Sequence, residues 1–308
     1  MAAPLLIHVG YHKTATTWMQ QYLFRAENGF IPVAGHAEVH DFITDPHGLL
    51  FDPEKMRNEI AAKSENIPNG AVRVISSEIL SGNPFFGGHE SDVFAERLKQ
   101  IAPDAKILVS IRSQMRILPS IYMQYILRGG TMPFDQFFAG ERSFGYLAFT
   151  PEHFEYHRLI AHLQGLFGRE NVYVLTQESL TADMEGAARA LADAVGNTQF
   201  SGLSEDAKTV RAPSYPEYAV PFLRRANHFQ KGPMHPNPVI GLGAENRTLY
   251  RAVGFAMRRP PLSSILGGRH PVSDYVREQF AGRYDQSNQK LASLVSHPLD
   301  LSGYDGIA

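Results

Sequence analysis

The chain has 308 residues, and 44% of them are hydrophobic, which is enough to bury the core of one large domain. Its 29 Lys and Arg residues against 31 Asp and Glu residues give a net charge of −2, so we expect no nucleic-acid partner and only a local cationic site. The absence of cysteine excludes disulfides, thiolate catalysis and cysteine-based zinc sites.

The first residues carry no signal-peptide pattern, and the chain contains no run of about 18 apolar residues that would span a bilayer. A chain without cysteine is compatible with a reducing compartment. We therefore expect a cytoplasmic protein with no transmembrane segment.

The first predicted element is a short buried strand at residues 5–9, which Gly10 ends. A loop with Lys13 and small hydroxyl residues follows, and an apolar stripe that starts at Trp18 predicts an amphipathic helix as far as residues 28–29. A strand, such a loop and a helix start form a cradle for an anion, because free backbone N–H groups and the helix dipole face it. The alternative is a strand, loop and helix that happen to contain one lysine.

The loop does not match the G-x-x-x-x-G-K-[ST] pattern of nucleoside-triphosphate loops, because Lys13 follows His12 and not a glycine.

Residues 30–33 read as a short strand or a buried turn, and a polar stretch with His36, His40 and His47 follows. We predict no metal site there, because the spacing matches no helix face and no carboxylate pattern accompanies it. Asp52 and Pro53 then predict the start of a helix that runs to about residue 63.

Residues 71–76 predict a strand that delivers Ser77 and Glu78 at its carboxyl end. In open parallel sheets the ligand crevice lies beyond the carboxyl ends of the strands, so Glu78 is a candidate general base. The alternative is that Glu78 caps the next segment or pairs with an arginine.

Residues 107–111 predict a central strand that ends at Arg112, and helical periodicity follows over 113–128. Pro119 within that run predicts a kink or a late helix start. The Arg112 guanidinium is suited to phosphate oxygens, and Ser120, eight positions later, adds a neutral donor. Arg116 is a weaker candidate for the same contact.

Together these segments resemble sulfotransferases that use 3′-phosphoadenosine 5′-phosphosulfate (PAPS). The loop of that family reads roughly P-K-[ST]-G-T-T-W, and this chain departs from it with His12 and Ala15. Ala15 fits in place of glycine only if its φ stays below zero. The family holds the 3′-phosphate with an Arg at a strand end and a Ser eight positions later, and it places its base after the second of these strands. Glu78 in that place resembles the glycan-modifying branch, which uses Glu where the cytosolic small-molecule branch uses His.

The resemblance implies sulfuryl transfer from PAPS to a hydroxyl of a small-molecule, carbohydrate or lipid acceptor, leaving the product PAP. Glu78 and Lys13 are the implied catalytic residues. The implied cofactor-binding residues are His12, Lys13, Thr14, Ala15, Thr16, Thr17, Trp18, Arg112 and Ser120. No metal is implied. The alternatives are a small-molecule kinase that uses ATP and a non-catalytic nucleotide-binding module.

Further along, a helix is predicted from about residue 150 to 167, with His153 and His157 four apart on an exposed face or in contact with the acceptor. Residues 172–176 predict a strand, and we interpret the following Glu178 as structural. A helix at 183–195, stopped by Gly196, comes next.

From about residue 200 the periodicity weakens. The patterns predict an interrupted helix at 215–228, a loop at 230–238 whose Lys231 resembles a basic contact of the family, and a basic amphipathic helix at 247–259. The last of these could touch an anionic membrane or a lipid, although packing on the domain is the favoured prediction. Residues 276–294 resemble the family's last helix through Tyr284, Asn288 and Leu291.

The alternation of strands and helices predicts an α/β fold, a three-layer parallel sheet of about five strands flanked by helices. Four strands can be named, and a fifth is expected elsewhere. We predict one domain over 1–308, with a cofactor-binding core at 1–200, a less regular acceptor or lid region at 201–275 and a C-terminal helix at 276–294.

Overall fold

A parallel β-sheet organises the part of the chain that the computed structural model describes, which is residues 3–142, 148–209, 215–238 and 248–307. In these residues the sheet has five strands in the order β2-β3-β1-β4-β5, and every neighbouring pair is parallel. The strands are β1 (Leu5–His8), β2 (Phe30–Ala34), β3 (Val72–Ser76), β4 (Lys106–Ile111) and β5 (Val172–Thr176). The prediction of an α/β fold with about five parallel strands is confirmed.

The fifth strand, expected outside the four that the sequence names, is β2, so of the two readings of residues 30–33 the strand is the correct one. Pro32 in its middle is exposed, which β2 tolerates because it lies at the edge of the sheet and pairs with β3 alone.

Helices connect the strands in the order that a parallel sheet requires. The α-helices are α1 (Thr16–Trp18), α2 (His36–Val39), α3 (Pro53–Ala62), α4 (Ser91–Ile101), α5 (Gln114–Leu127), α6 (Phe134–Phe138), α7 (His157–Phe167), α8 (Gln177–Ala182), α9 (Met184–Val195), α10 (Glu205–Thr209), α11 (Val220–Asn227), α12 (Thr248–Met257), α13 (Leu262–Leu266), α14 (Pro271–Phe280) and α15 (Asp285–Leu294). Short 3-10 turns occur at Ala26–Asn28, Gly48–Leu50, Glu78–Ser81, Pro84–Phe86, Pro151–Phe154, Arg169–Asn171 and Glu217–Ala219.

The two faces of the sheet are both buried. Leu6, Val74 and Leu108 point to one face and share a core cluster with Leu191 of α9 and with Trp18. Because side chains alternate along a strand, the buried Ile7 points to the opposite face. Burial on both faces explains why the strands read as nearly continuous apolar runs.

The first predicted helix is wrong in length. Helix α1 passes at once into a π-helix at Met19–Leu23, and the Phe24 N–H closes it by donating to the Met19 carbonyl five residues back at 2.7 Å. The 3-10 turn at Ala26–Asn28 follows instead of a further helical turn.

Most of the remaining helix predictions are confirmed. Asp52 caps α3 by accepting from the Glu54 N–H at 3.0 Å, and α9 ends at Gly196 with a φ of 79°. Pro119 lies inside α5, which starts at Gln114 and not late. A 3-10 turn replaces the first part of the helix predicted from residue 150, and two helices, α14 and α15, replace the single one predicted at 276–294.

The described residues divide into two compact units. The first contains the sheet and lies within Met1–Ser113, Glu152–Val210 and Tyr284–Ala308. The second lies within Gln114–Pro151 and Arg211–Arg283 and contains α5, α6 and α11 to α14. Inside the second unit the Asn227 amide donates to the carbonyls of Ile126 and Gly130, both at 2.8 Å, and so holds the end of α5.

Candidate functional site

The carboxyl ends of three adjacent strands carry the candidate residues of the first unit. β1 leads into the loop that contains Lys13, β3 leads into Ser77 and Glu78, and β4 leads into Arg112. Since β3, β1 and β4 are neighbours and parallel, these segments meet at one edge of the sheet.

A buried polar network lies directly beneath the Lys13 loop. His8, the last residue of β1, hydrogen-bonds Ser76 of β3 through Nδ1 and Ser110 of β4 through Nε2, both at 2.9 Å. The Ser110 hydroxyl is 2.7 Å from that of Thr14, which donates to the Tyr11 carbonyl at 2.6 Å. The network ties the loop to both neighbouring strands.

The donors in this network determine the state of His8. The Thr14 hydroxyl has one proton and gives it to Tyr11, so the Ser110 hydroxyl must donate to Thr14. Ser110 then accepts from His8 Nε2–H, and Nδ1 accepts from Ser76. Complete burial lowers the pKa of His8 to about 3, which agrees with the neutral ring that this pattern requires.

Gly10 is the residue that lets the loop lie so close to the network. A Cβ at Gly10 would stand 2.6 Å from both His8 Nε2 and Ser110 Oγ, where real atoms cannot pack. The lack of a side chain, more than backbone freedom, is the requirement at this position.

The sign of φ alternates along the backbone of the Lys13 loop. Lys13 has φ 68° and Ala15 has φ 67°, whereas Thr14 between them has no positive φ. The condition that Ala15 keeps φ below zero is therefore wrong: the turn into α1 places this residue in the left-handed region. Ala15 in the left-handed region followed by the helical Thr16 is the residue pair of a nest, an arrangement whose successive N–H groups face one concavity and bind anions.

Lys13 lies close enough to Glu78 and Arg112 for both to act on its charge. Desolvation lowers the pKa of Lys13, the Arg112 guanidinium lowers it further, and the Glu78 carboxylate raises it. The Lys13 ammonium is partly desolvated although the residue as a whole is exposed, and the side chains of Glu78 and Arg112 are half-buried. The structure thus brings together the three charged residues that the sequence singled out in separate segments.

The hydroxyl of Thr16 fits an anion in the nest. Thr16 is 6% exposed, and its Oγ1 is buried with no hydrogen-bond partner among the described residues. A buried hydroxyl without a partner is costly, and a phosphate oxygen beside it would relieve that cost. Thr17 is exposed.

Three other loop residues use their side chains for support. The Thr14 hydroxyl is committed to the network, and the Trp18 indole donates to the Ala207 carbonyl at 2.8 Å within the core cluster. His12 is 6% exposed, with its ring 6.2 Å from that of Phe85. Contacts of Thr14 and Trp18 with a nucleotide, which remain predictions, would come from backbone groups or ring edges.

A second support, which sequence reasoning missed, is a group of rings behind Tyr11. The Tyr11 ring centroid is 4.7 Å from that of Tyr156 and 4.9 Å from that of His153, and the Tyr156 hydroxyl donates to the Arg112 carbonyl at 2.7 Å. His153 packs against Gly88, and burial lowers the pKa of His153 to about 3. The expectation of an exposed face at His153 is wrong, because the 3-10 turn at Pro151–Phe154 turns its ring inward.

Glu178 has the structural role predicted for it. Glu178 is 6% exposed, and its carboxylate accepts from the Ser113 N–H at 3.2 Å and from the Tyr304 hydroxyl at 3.4 Å. These bonds hold the chain just after Arg112. His157, placed with His153 in the sequence, instead hydrogen-bonds Ser287 at 2.8 Å.

Two histidines lie beside the Ser77–Glu78 turn. His36 Nδ1 hydrogen-bonds the buried Ser77 hydroxyl at 2.7 Å, its Nε2 is 3.2 Å from His40 Nε2, and His40 Nδ1 is 2.8 Å from Asp45. The prediction that His36, His40 and His47 share no helix face is wrong for the first two, since α2 and the π-helix at His40–Thr44 bring them together. The spacing of four residues between His36 and His40 was the signal for a shared helix face.

The other candidates lie in the second unit. Ser120 is on α5, where its hydroxyl donates to the Arg116 carbonyl at 3.0 Å, and Arg116 and Lys231 are exposed. Their contacts with a nucleotide stay predictions. Within the described ranges no group of three or more His, Cys, Asp or Glu side chains is arranged for a metal ion, and no helix is both long and apolar enough to cross a bilayer.

Comparisons with known proteins give similar structures but no sequence family. A scan against protein-family models finds no match, and a search of curated proteins finds none. A sulfotransferase from Alicyclobacillus acidocaldarius is similar over 89% of this chain and 100% of its own, at 19% identity and a TM-score of 0.48. Mouse sulfotransferase SULT7A1, solved in complex with PAP, is similar over 94% of this chain and 88% of its own, at 14% identity and a TM-score of 0.33. Both TM-scores lie below 0.5, so the case for a function rests on this chain's own residues.

Proposed function

We propose that the protein transfers a sulfuryl group from PAPS to a hydroxyl of a small-molecule, carbohydrate or lipid acceptor. The observation that carries the proposal is that Lys13, on an anion-binding nest, interacts with both Glu78 and Arg112. Glu78 could act as a base on a hydroxyl, and Lys13 and Arg112 are two cations at the same sheet edge. This set suits a reaction between a hydroxyl and a nucleotide that carries negative charge at two positions.

The residues present fit such a nucleotide. The N–H groups of the nest, the Lys13 ammonium and the Thr16 hydroxyl would hold the 5′-phosphate, and Arg112 would hold the 3′-phosphate. PAPS, when bound, supplies the sulfuryl group and leaves as PAP.

The proposed chemistry divides the work among these side chains. Glu78 would accept the proton of the acceptor hydroxyl, whose oxygen forms the new S–O bond. Lys13 and the nest would stabilise the negative charge that gathers on the 5′-phosphate as the old S–O bond breaks. The protein's main contributions are position and charge, as in phosphoryl transfer.

The proposed acceptor class follows from the base. A carboxylate base suits an alcohol, whose proton must be removed as the bond forms, better than a phenol, which ionises more easily. Within alcohols the choice among sugar, lipid and metabolite stays open to experiment.

The test is transfer of labelled sulfuryl from PAPS into pooled alcohols, with wild-type protein and Lys13→Ala side by side. We expect label in an acceptor fraction with wild type and a loss of about 100-fold or more in the variant. Absence of transfer to every pool, combined with tighter binding of ATP with magnesium than of PAP, would indicate a kinase instead.

A further inference from the structure

Helix α12 of the second unit buries one side and leaves the other without a cover among the described residues. Tyr250, Gly254 and Met257 form its buried side, at the i, i+4, i+7 spacing of a single helix face. The Tyr215 ring lies 5.3 Å from that of Tyr250, and the Tyr218 hydroxyl donates to the Met257 carbonyl at 2.9 Å. The predicted packing of this segment on its own unit therefore occurs, and it uses this side alone.

The opposite side presents arginine and phenylalanine together. Arg251, Phe255 and Arg259 follow each other at intervals of four residues, and all three are exposed. Phe255 is 58% exposed, and the Arg259 guanidinium lies 4.0 Å from its ring centroid. A large ring in water flanked by two cations is not explained by packing.

The exposed apolar surface continues into α13. Leu262 and Ile265 are exposed there, Ile265 at 69%. We call Arg251, Phe255, Arg259, Leu262 and Ile265 the basic apolar surface.

Charge around this surface has one sign. Residues 248–270 contain four arginines and no Asp or Glu, in a chain whose net charge is −2. Local positive charge of this kind attracts an anionic partner without making the whole protein basic.

We propose that the basic apolar surface binds the surface of an anionic lipid bilayer. Phe255, Leu262 and Ile265 would enter the boundary between headgroups and acyl chains, and the arginines would contact lipid phosphates with their stems lying along the apolar side chains. A single-stranded nucleic acid fits less well, since the aliphatic Leu262 and Ile265 offer no ring on which bases stack. The proposal does not depend on the proposed enzymatic function.

The binding would be peripheral and sensitive to salt. No helix of the described residues could span a bilayer, and the proposed attachment is through the side chains of this surface. Each arginine near an anionic membrane raises the partition coefficient of the protein onto that membrane about fivefold, and added salt screens this attraction.

The experiment is sedimentation of the full chain with vesicles of phosphatidylcholine, with and without phosphatidylglycerol. We expect binding to the anionic vesicles only, released by salt. A Phe255→Ser, Ile265→Ser double variant should bind the anionic vesicles about tenfold or more weakly than wild type, because it removes the inserted side chains. An Arg251→Gln, Arg259→Gln double variant should weaken binding to the anionic vesicles by a similar factor.

The matched control is Leu49→Ser with Leu50→Ser, which removes two exposed apolar side chains of the first unit at 90% and 74% exposure. This variant should bind vesicles as wild type does, and circular dichroism should show all variants folded. Three results would overturn the proposal: no binding of wild type to anionic vesicles at low salt, equal binding of the Phe255 and Ile265 variant, or self-association that this variant abolishes.

Discussion

At the scale of single residues, the proposed chemistry depends on the balance of charge around Lys13. Its pKa is lowered by desolvation and by Arg112, and Glu78 acts against this. A bound phosphate dianion would favour the charged ammonium further, since an opposite charge close to a group stabilises its ionised form. Lys13 thus has one cation and one carboxylate close to it, and a bound anionic substrate would add a second negative charge beside it.

Glu78→Gln should separate catalysis from binding. The amide keeps the shape of the carboxylate but accepts no proton, so turnover should fall by roughly 10²–10⁴-fold. PAP affinity, measured by calorimetry, should stay near wild type. The control Glu65→Gln, at an exposed site before β3, should change neither turnover nor PAP affinity. Unchanged turnover removes Glu78 from the mechanism.

Arg112→Ala should discriminate between nucleotides with and without a 3′-phosphate. We expect PAP binding to weaken by about 1.5–3 kcal/mol, the value of one charge-assisted bond, and adenosine 5′-phosphate binding to change little. Lys13→Ala should weaken both ligands, because both carry the 5′-phosphate.

Calorimetric titrations of the two ligands make this comparison, with Arg189→Ala on the exposed side of α9 as the control. Equal losses for both ligands in Arg112→Ala would show that Arg112 does not read the 3′-phosphate.

At the scale of elements, the strained turn of the Lys13 loop predicts a gain in stability. Ala15 has φ 67°, a region that a side chain with a Cβ disfavours, so Ala15→Gly should stabilise the fold by about 0.5–1 kcal/mol. The control Ala190→Gly, on the exposed side of α9, should destabilise by a similar amount. Urea denaturation measures both, and a loss at Ala15 would show that its Cβ contributes more by packing than it costs in strain.

The buried His8, at the end of β1, should make the stability of the fold depend on pH. Its folded pKa of about 3 lies below the ordinary value of 6.5, so between these values the unfolded chain binds a proton that the folded chain does not. Stability should therefore fall as pH falls below 6.5, by about 1 kcal/mol from pH 7 to pH 5.5 for this residue.

Denaturant titrations of wild type and His8→Gln across that range test this. The variant should show a shallower pH dependence by about that amount, because it removes the titrating ring. Identical slopes would mean that the folded protein protonates His8 without cost.

At the scale of the whole molecule, the features that the sequence predicts best are those that lie within one segment of the chain. Each of β1, β3, β4 and β5 reads as an apolar run, and Lys13, Glu78 and Arg112 follow three of these runs directly, so the fold and the charged residues could be predicted. Their meeting follows from the parallel order of the strands.

The parts that escaped prediction depend on contacts between segments. His8 could have been noticed as a histidine inside an apolar strand, but its partners Ser76 and Ser110 lie 68 and 102 residues away. The burial of His153 against Tyr11 depends on a similar long-range contact. The positive φ of Ala15 gives no signal at all, since alanine in a loop is compatible with either hand.

The most direct measurement of the central claim is a crystal structure of the protein with PAP. We expect the 5′-phosphate on the nest with Lys13 and Thr16, and the 3′-phosphate on Arg112. PAP bound elsewhere, bound with its phosphates exchanged, or absent from crystals soaked at saturating concentration would contradict it.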